Sequence, residues 1–344
     1  MVSIIQIQYL FLFYSYFPPP QNDKIRKIIL YNKENMKYLI IDKRQRGEIG
    51  KKLDIPTGSA RLLEELDKRN IERDFIYNDQ LEFIYHEGRF IIKANGKDIT
   101  EYSHIIFRGH ALHNDQEYHY KRYIINFAEQ YNKENPDKKI LVQNAEAIKR
   151  FPYYNKIAMA QFCSINNIPY FNTYFRTDGN YTEQRDYLKD FPLITKDYTG
   201  KNRVEVIDGK EKIKKNVFKI ENKDEYKLNP DFFLQEFSNS GEDYRVFVKL
   251  GKIIGGWKRY AKGSFMTVSK GEYEMYNEPN EEIKTIAEKV ASLLHADFMA
   301  VDFMYINGKP AVQEWSFHPG YKAYETKIEG KPVNIAEAII TAFI

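Results

Sequence analysis

Between residues 36 and 145 the apolar positions follow two periods in turn. KYLIID (core 38–42), DFIYN (74–78), HIIFRG (104–109) and KILVQN (139–144) are short apolar runs that predict strands. SARLLEELDKRN (59–70) and YHYKRYIINFAEQYNKE (118–134) repeat apolar residues at helical spacing, with Ser59 placed to cap the first helix. LEFIYHEGRFIIKANGKDI (81–99) reads as a small hairpin about Glu87-Gly88. Strand and helix in alternation predict a parallel sheet with helices on its faces, an α/β domain over residues 36–150.

The pattern changes from residue 151 onward. NKIAMAQFCSINNIP (155–169) reads as a helix closed by Asn167 and Pro169, and FPLITKDYTGKNRVEVI (191–207) as a strand with a turn in its middle. The lysine-rich KEKIKKNVFKIENKDEYK (210–227) is expected to face solvent. FFLQEFS (232–238) and DYRVFVKLGKIIGGWKRY (243–260) read as strands, and IKTIAEKVASLLHA (283–296) and VNIAEAIITAFI (333–344) as helices. There is no fixed-period repeat and no low-complexity tract. The second half is expected to divide into 151–230 and 231–344.

VDFMYINGKPAVQEWSFHPG (301–320) raises a chemical question. Asn307-Gly308 between apolar-rich runs is a strong hairpin signal, yet each run carries an acid, Asp302 and Glu314. A regular two-residue turn pairs Asp302 with Gln313 and sends Glu314 to the other face. A three-residue loop including Lys309, or one bulge, sets the acids opposite each other, with Cβ atoms about 5 Å apart. Carboxylates that close repel unless a cation lies between them, and hard oxygen donors on a rigid hairpin suit Mg²⁺. The plain alternative is an edge hairpin with two solvated acids.

Composition narrows the classes. A chain of 344 residues, 43% hydrophobic, supports two or three cores, and Lys+Arg 52 against Asp+Glu 48 is too even to call for nucleic acid. The single cysteine, Cys163, excludes an internal disulfide and any multi-cysteine metal site, and reads as a core residue. MVSIIQIQYLFLFYSYFPPP (1–20) is short for a spanning helix, lacks signal-peptide features and ends in helix-stopping prolines. The working protein is expected to begin near Met36, with residues 1–35 a poorly ordered extension or the product of a misassigned start. A cytoplasmic location is expected, with no nucleic-acid or membrane partner; a homo-oligomer stays open.

Neither common phosphate-binding glycine motif is present. Lys196, however, ends an apolar strand just before DYTGKN, where an ammonium and the N–H groups of a turn at Gly200 can meet phosphate. Lys156 opens the preceding helix, LQEF (234–237) and GEDYRVFV (241–248) follow, then Arg259, then the two acids. This order resembles the ATP-grasp superfamily, and most closely its RimK-like carboxylate–amine ligases, from about residue 104 to the end. The resemblance implies an N-terminal pre-ATP-grasp parallel-sheet domain followed by a two-lobed ATP-grasp domain, α/β (α+β) overall. It implies that Lys156, Lys196 and Gly200 hold ATP phosphates and that Gln235, Glu236 and Phe237 form the adenine hinge, partly through backbone groups. It further implies that Asp243 or Glu242 holds the ribose, that Arg259 faces the reacting phosphate, and that Asp302 and Glu314 bind Mg²⁺.

The chain departs from the family pattern in three places. Ser316, a weaker neutral ligand, stands where asparagine is usual; MTV (266–268) replaces an Arg-x-Asn segment; Arg203 stands where glycine is common. Ser269, Lys270 or His318 are the candidates to compensate. The implied reaction joins a carboxylate to an amine through an acyl phosphate, releasing ADP and phosphate, under a mobile lid sought at 208–227 or 261–280. The acceptor implied is an amino acid, peptide or protein tail. Arg108 in FRGHALHNDQEYHY (107–120) is a candidate carboxylate clamp, and His318 a second candidate substrate contact. His110, His113 and His119 read as polar loop residues rather than metal ligands. The alternatives carried are a peptide-modifying macrocyclase, a nucleotide- or sugar-linked ligase, and a nucleotide-binding module without turnover.

Overall fold

The computed structural model describes residues 36–44, 54–109, 115–151, 155–181, 187–188, 190–200, 202–207, 210–261 and 271–343. The expectations for residues 1–35, His110, His113, Met266–Val268, Ser269 and Lys270 lie outside the described residues, as does the side chain of Arg203.

The first domain is the parallel sheet expected. β1 (Lys37–Asp42) is followed by α1 (Thr57–Lys68), β2 (Glu72–Tyr77), the strands β3 (Leu81–His86), β4 (Arg89–Ala94) and β5 (Lys97–Asp98), β6 (His104–Phe107), α2 (Asp115–Glu134) and β7 (Leu141–Val142). The order is β2-β1-β6-β7, all parallel, with β3-β4-β5 a separate antiparallel sheet. Alternation along β1 divides the core: Tyr38 and Ile40 pack with Leu62 and Leu66 of α1, while Leu39 and Ile41 pack with Ile124 and Ile125 of α2. Ser59 does not cap α1. Pro56 holds the cap position, and the Ser59 hydroxyl, one turn in, donates to Asp42 Oδ2 at 2.5 Å, because a neighbouring strand end offers a charged acceptor.

A short helix, α3 (Ala145–Arg150), leads to α4 (Lys156–Ile165), whose N-terminus is capped by Asn155 Oδ1 accepting from Ala158 N at 2.8 Å. β8 (Thr173–Tyr174), β9 (Leu193–Asp197), β10 (Asn202–Ile207), β11 (Lys210–Lys215), β12 (Val217–Ile220) and β13 (Phe232–Glu236) follow. They form a sheet of order β12-β9-β13-β8 and a hairpin β10-β11, so the first part of the lysine-rich stretch, up to Ile220, is built of strands. β13 pairs with β9, so residues 232–236 belong to the same sheet as residues 193–197.

The last sheet has the order β16-β15-β14-β17-β18, from β14 (Glu242–Lys249), β15 (Lys252–Ala261), β16 (Gly271–Met275), β17 (Phe298–Ile306) and β18 (Lys309–Ser316). Between β16 and β17 lies α5 (Glu281–Leu294), and after β18 come α6 (Lys322–Lys327) and α7 (Ile335–Ile340). One face of this sheet, with Val246, Val301 and Phe303, packs on Ile283, Ala287 and Val290 of α5. The other face is apolar at one end, where Phe247, Phe298 and Ala300 join the cluster that includes Tyr38 and Ile40. The remainder of that face carries the charged residues described next.

Candidate active site

The hairpin resolves the question of the two acids. Ile306 pairs with Lys309, so the turn is the two-residue Asn307-Gly308, both at positive φ (50° and 77°) as a type I′ turn requires. The three-residue loop is therefore not used. The register shifts instead by a bulge: Phe303 pairs with Val312 and Asp302 with Glu314, leaving Gln313 as the extra residue. The bulge brings both acids to one face.

Neighbouring strands extend the row. Arg245 on β14 lies opposite Asp302, and Asp243, two residues before it, lies opposite Arg259 on β15. Arg245 grips Asp302 with a fork, Nε to Oδ1 at 2.6 Å and Nη2 to Oδ2 at 2.6 Å. Arg259 donates Nε to Asp243 Oδ1 at 2.9 Å, and its Nη2 also binds that carboxylate. Lys156, reaching across from α4, forms an ion pair with Glu314. Three cations thus pair with three carboxylates over one polar platform. Burial raises the Asp243 carboxyl above its ordinary value against the pull of Arg259.

The residues expected to hold phosphate lie at the start of α4 and at the end of β9. Lys156 N donates to Tyr198 O at 2.9 Å, which ties the start of α4 to the turn after Lys196. That turn is held by Asp197, whose Oδ1 accepts from Thr199 N at 2.8 Å, and it closes with Gly200 N on Asp197 O at 3.1 Å, Gly200 having φ +74°. Lys196 is buried, with its ammonium 5.5 Å from the centre of the Phe233 ring. In the hinge, Gln235 Nε2 donates to Thr173 Oγ1 at 3.2 Å, and the Glu236 carboxylate accepts from Asn172 N and Nδ2 at 2.8 and 3.0 Å. These side chains fasten the hinge to residues 172–173, and Lys219 lies over the Phe237 ring at 4.9 Å. Glu242 points away from the platform and accepts from Tyr244 Oη at 2.6 Å and Lys258 Nζ at 2.9 Å, so both acids read for the ribose are engaged within the protein.

The loop after β18 joins the site to the first domain. Ser316 Oγ accepts from His318 N at 3.1 Å. His318 Nε2 lies 3.2 Å from the buried Lys121 ammonium, which donates to Gly109 O at 2.6 Å. Arg108 Nη2 donates to Pro319 O at 3.1 Å and its guanidinium stacks on Tyr321, while Arg245 Nη1 reaches Gly320 O at 3.2 Å. Arg108 is thus a clamp on this loop, and its buried Nε has no hydrogen-bond partner among the described residues. Cys163 is a core residue whose thiol burial pushes up to about 12, as its position among apolar helix residues leads one to expect. Sequence reasoning missed Arg245 and Lys121. Arg245 had a usable signal, its two-residue spacing from Asp243 on one strand; Lys121 had none, because Gly109 and His318, which it meets, come from two segments far apart in the chain.

Among the described residues no group of three or more His, Cys, Asp and Glu is placed to hold a metal. The opposed pair Asp302–Glu314 with the Ser316 hydroxyl further along the same face nevertheless fits Mg²⁺, which takes one or two carboxylates and fills its shell with phosphate and water. No described helix is long and apolar enough to cross a membrane.

Two lobes joined by a hinge, with a lysine of one paired to an acid of the other, define the ATP-grasp class. The family model for the RimK-like ATP-grasp domain matches residues 154–343, and the chain belongs to that family. A search of curated proteins finds no match. Among solved structures, the chain resembles a RimK-domain ATP-grasp protein from Sphaerobacter thermophilus, with TM-score 0.58, 14% identity, and coverage of 90% of this chain and 99% of the other. It also resembles the ATP-grasp ligase PsnB complexed with a minimal precursor (TM-score 0.57, 14% identity, 90% and 99% covered). A third is the macrocyclase MdnC bound with precursor peptide MdnA, from Microcystis aeruginosa (TM-score 0.56, 11% identity, 88% and 98% covered). At these identities the likeness is one of fold.

Proposed function

We propose that this chain is an ADP-forming ligase that activates a carboxylate with ATP and joins it to a nucleophile, with a peptide as one substrate. The observation that carries the reading is the bulge that sets Asp302 opposite Glu314, each engaged by a cation of the phosphate-binding kind. A hairpin serving only as structure has no need to bring two carboxylates together. Asp302 and Glu314, with Ser316 beside them, are the residues that would hold Mg²⁺, which when bound neutralises phosphate charge.

The chain's own groups divide the remaining work. Lys156 and Lys196 grip phosphate as point charges, and the turn at Gly200 offers backbone N–H groups. The substrate carboxylate attacks the γ-phosphorus, the bond to ADP breaks, and an acyl phosphate results. The nucleophile then attacks the acyl carbon, phosphate leaves with the electron pair of the broken C–O bond, and the proton released goes to phosphate or water. Arg259, held by Asp243, and Arg245, held by Asp302, are the guanidinium groups proposed to steady the oxyanion and the leaving phosphate. Arg108 and His318, in the loop contacts between the domains, are the proposed substrate neighbours.

A peptide substrate is favoured because PsnB and MdnC were each solved with precursor peptides, and PsnB also with Mg and ADP. The test is ADP release with ATP and Mg²⁺ against a panel of amino acids and acidic peptides, with mass spectrometry of the products. Peptide-dependent ADP release, with loss of one water per bond formed, is expected. ATP binding without turnover on any of them overturns the ligase and leaves a nucleotide-binding module.

A further inference from the structure

The β3-β4 hairpin carries features that the ligase chemistry does not use. Its turn is the two-residue Glu87-Gly88, both at positive φ, and His86 pairs directly with Arg89. In such a hairpin the pair flanking the turn exchanges both backbone hydrogen bonds, and bonded and non-bonded pairs then alternate. His86, Ile84 and Glu82 therefore direct N–H and C=O toward β4, while Tyr85, Phe83 and Leu81 direct theirs away from it. Among the described residues β3 ends its sheet, so these outward groups form an open edge.

The same residues build an aromatic surface. The Phe83 ring stacks 5.5 Å from Tyr120 and 6.5 Å from Phe90, and meets Tyr123 edge-on at 5.4 Å. Tyr85 nevertheless remains 75% exposed, and Phe90 and Tyr123 44% each. Edge strands are ordinarily blunted by proline or by an inward charge, and on this face β3 has neither. The surface also leads somewhere: Leu81 and Tyr120 line a small cleft with Asn78, Gly109 and Lys121 at the C-terminal ends of the parallel strands. Lys121 touches His318, in the loop that follows Glu314 and Ser316.

We infer that β3 receives an extended peptide as an added antiparallel strand, with aromatic or aliphatic side chains at alternate positions against Tyr85, Phe90 and Tyr123. This rests on the peptide-substrate reading above. β3 runs from the cleft to the hairpin tip, so an antiparallel strand laid on it runs from the tip to the cleft and delivers its downstream residues to the active site. Backbone pairing supplies affinity, and the aromatic face selects the alternate side chains.

The test is selection of a displayed library of random dodecapeptides on the full chain, followed by measurement of the enriched peptides on two variants. Tyr85→Pro removes an outward N–H and no ladder bond; Tyr85→Ser with Phe90→Ser removes the exposed rings. Enriched peptides with alternating apolar residues are expected, binding each variant about tenfold or more weakly, as when aromatic anchors are truncated. ATP affinity, read by calorimetry, is expected unchanged in both variants, which separates this surface from the nucleotide site. The absence of any enrichment, or equal binding to wild type and variants, overturns the inference. So does a dimer in sedimentation that Tyr85→Pro dissolves, since the edge would then belong to a second copy. Peptide binding that follows this pattern without ADP release leaves the surface standing and removes the ligase reading.

Discussion

Glu314→Gln separates the two demands placed on Lys156. The lysine is bound to Glu314, and in the proposed role it would leave that carboxylate to meet a phosphate. The Lys156 side chain is 8% exposed and that of Glu314 35%, so the pair lies at the boundary of the interior. Unit charges 4 Å apart attract by about 4 kcal/mol at the dielectric usual near a protein surface, before desolvation is subtracted. Removing one partner of a buried pair costs about 3–5 kcal/mol, and the partial exposure of Glu314 places the expected loss of stability near about 3 kcal/mol. The freed lysine no longer has to exchange partners, so ATP affinity in the presence of a chelator is expected to rise about 10- to 100-fold, or about 1.4–2.8 kcal/mol. ADP release in Mg²⁺ should fall to background, because one of the proposed oxygen ligands is gone. Calorimetry of ATP with chelator, on wild type, Glu314→Gln, Lys156→Met and the double variant, closes the cycle. If the gain persists when Lys156 is methionine, it reflects general relief of negative charge and the lysine-exchange argument fails. It fails equally if metal-free affinity does not rise.

Three further outcomes follow from named contacts. Arg245→Lys should lower the ADP-release rate about tenfold or more with ATP affinity nearly unchanged, since a lysine cannot reproduce the fork on Asp302; an unchanged rate would reduce Arg245 to a structural role. Burial lowers the pKa of His104, packed against Tyr38 and Phe343, from 6.5 to about 4, so the unfolded chain takes up a proton that the folded chain refuses; stability should be full above pH 6.5 and fall by about 3 kcal/mol by pH 4. Chemical denaturation of His104→Phe across that range should lack this loss. Burial pushes the Glu65 carboxyl up, but hydrogen bonds from Asn334, Arg61 and Arg69 outweigh it and hold the pKa below its ordinary value. Glu65→Gln should therefore cost about 3 kcal/mol near neutral pH, and its deficit should shrink as acid protonates the wild-type residue through its folded pKa.

Much of the architecture was legible because it is local. The switch from period two to period 3.6 marked β1, α1, β6, α2 and α5, and Asn307-Gly308 marked the hairpin turn. The order of Lys156, Lys196, the hinge and the two acids was enough to indicate the family, since it is written along the chain whatever the packing. Short elements were lost: α3 and α6, of six residues each, and β8, which is held by pairing with β13.

The sequence by itself determined which residues carry charge, where the strands and helices begin, and that Asp302 and Glu314 could meet only if the register slipped by one. Tertiary structure decided how it slipped. Gln313 is left over as a bulge because the turn keeps its two residues while both arms also have to pair, β17 with β14 and Val312 N with Pro169 O from a distant segment. Tertiary structure also decided the partners. Arg245 meets Asp302, and Lys156 meets Glu314, across strands and lobes far apart in the chain, and charge pairing at such separations depends on where the backbones are brought together rather than on any local pattern.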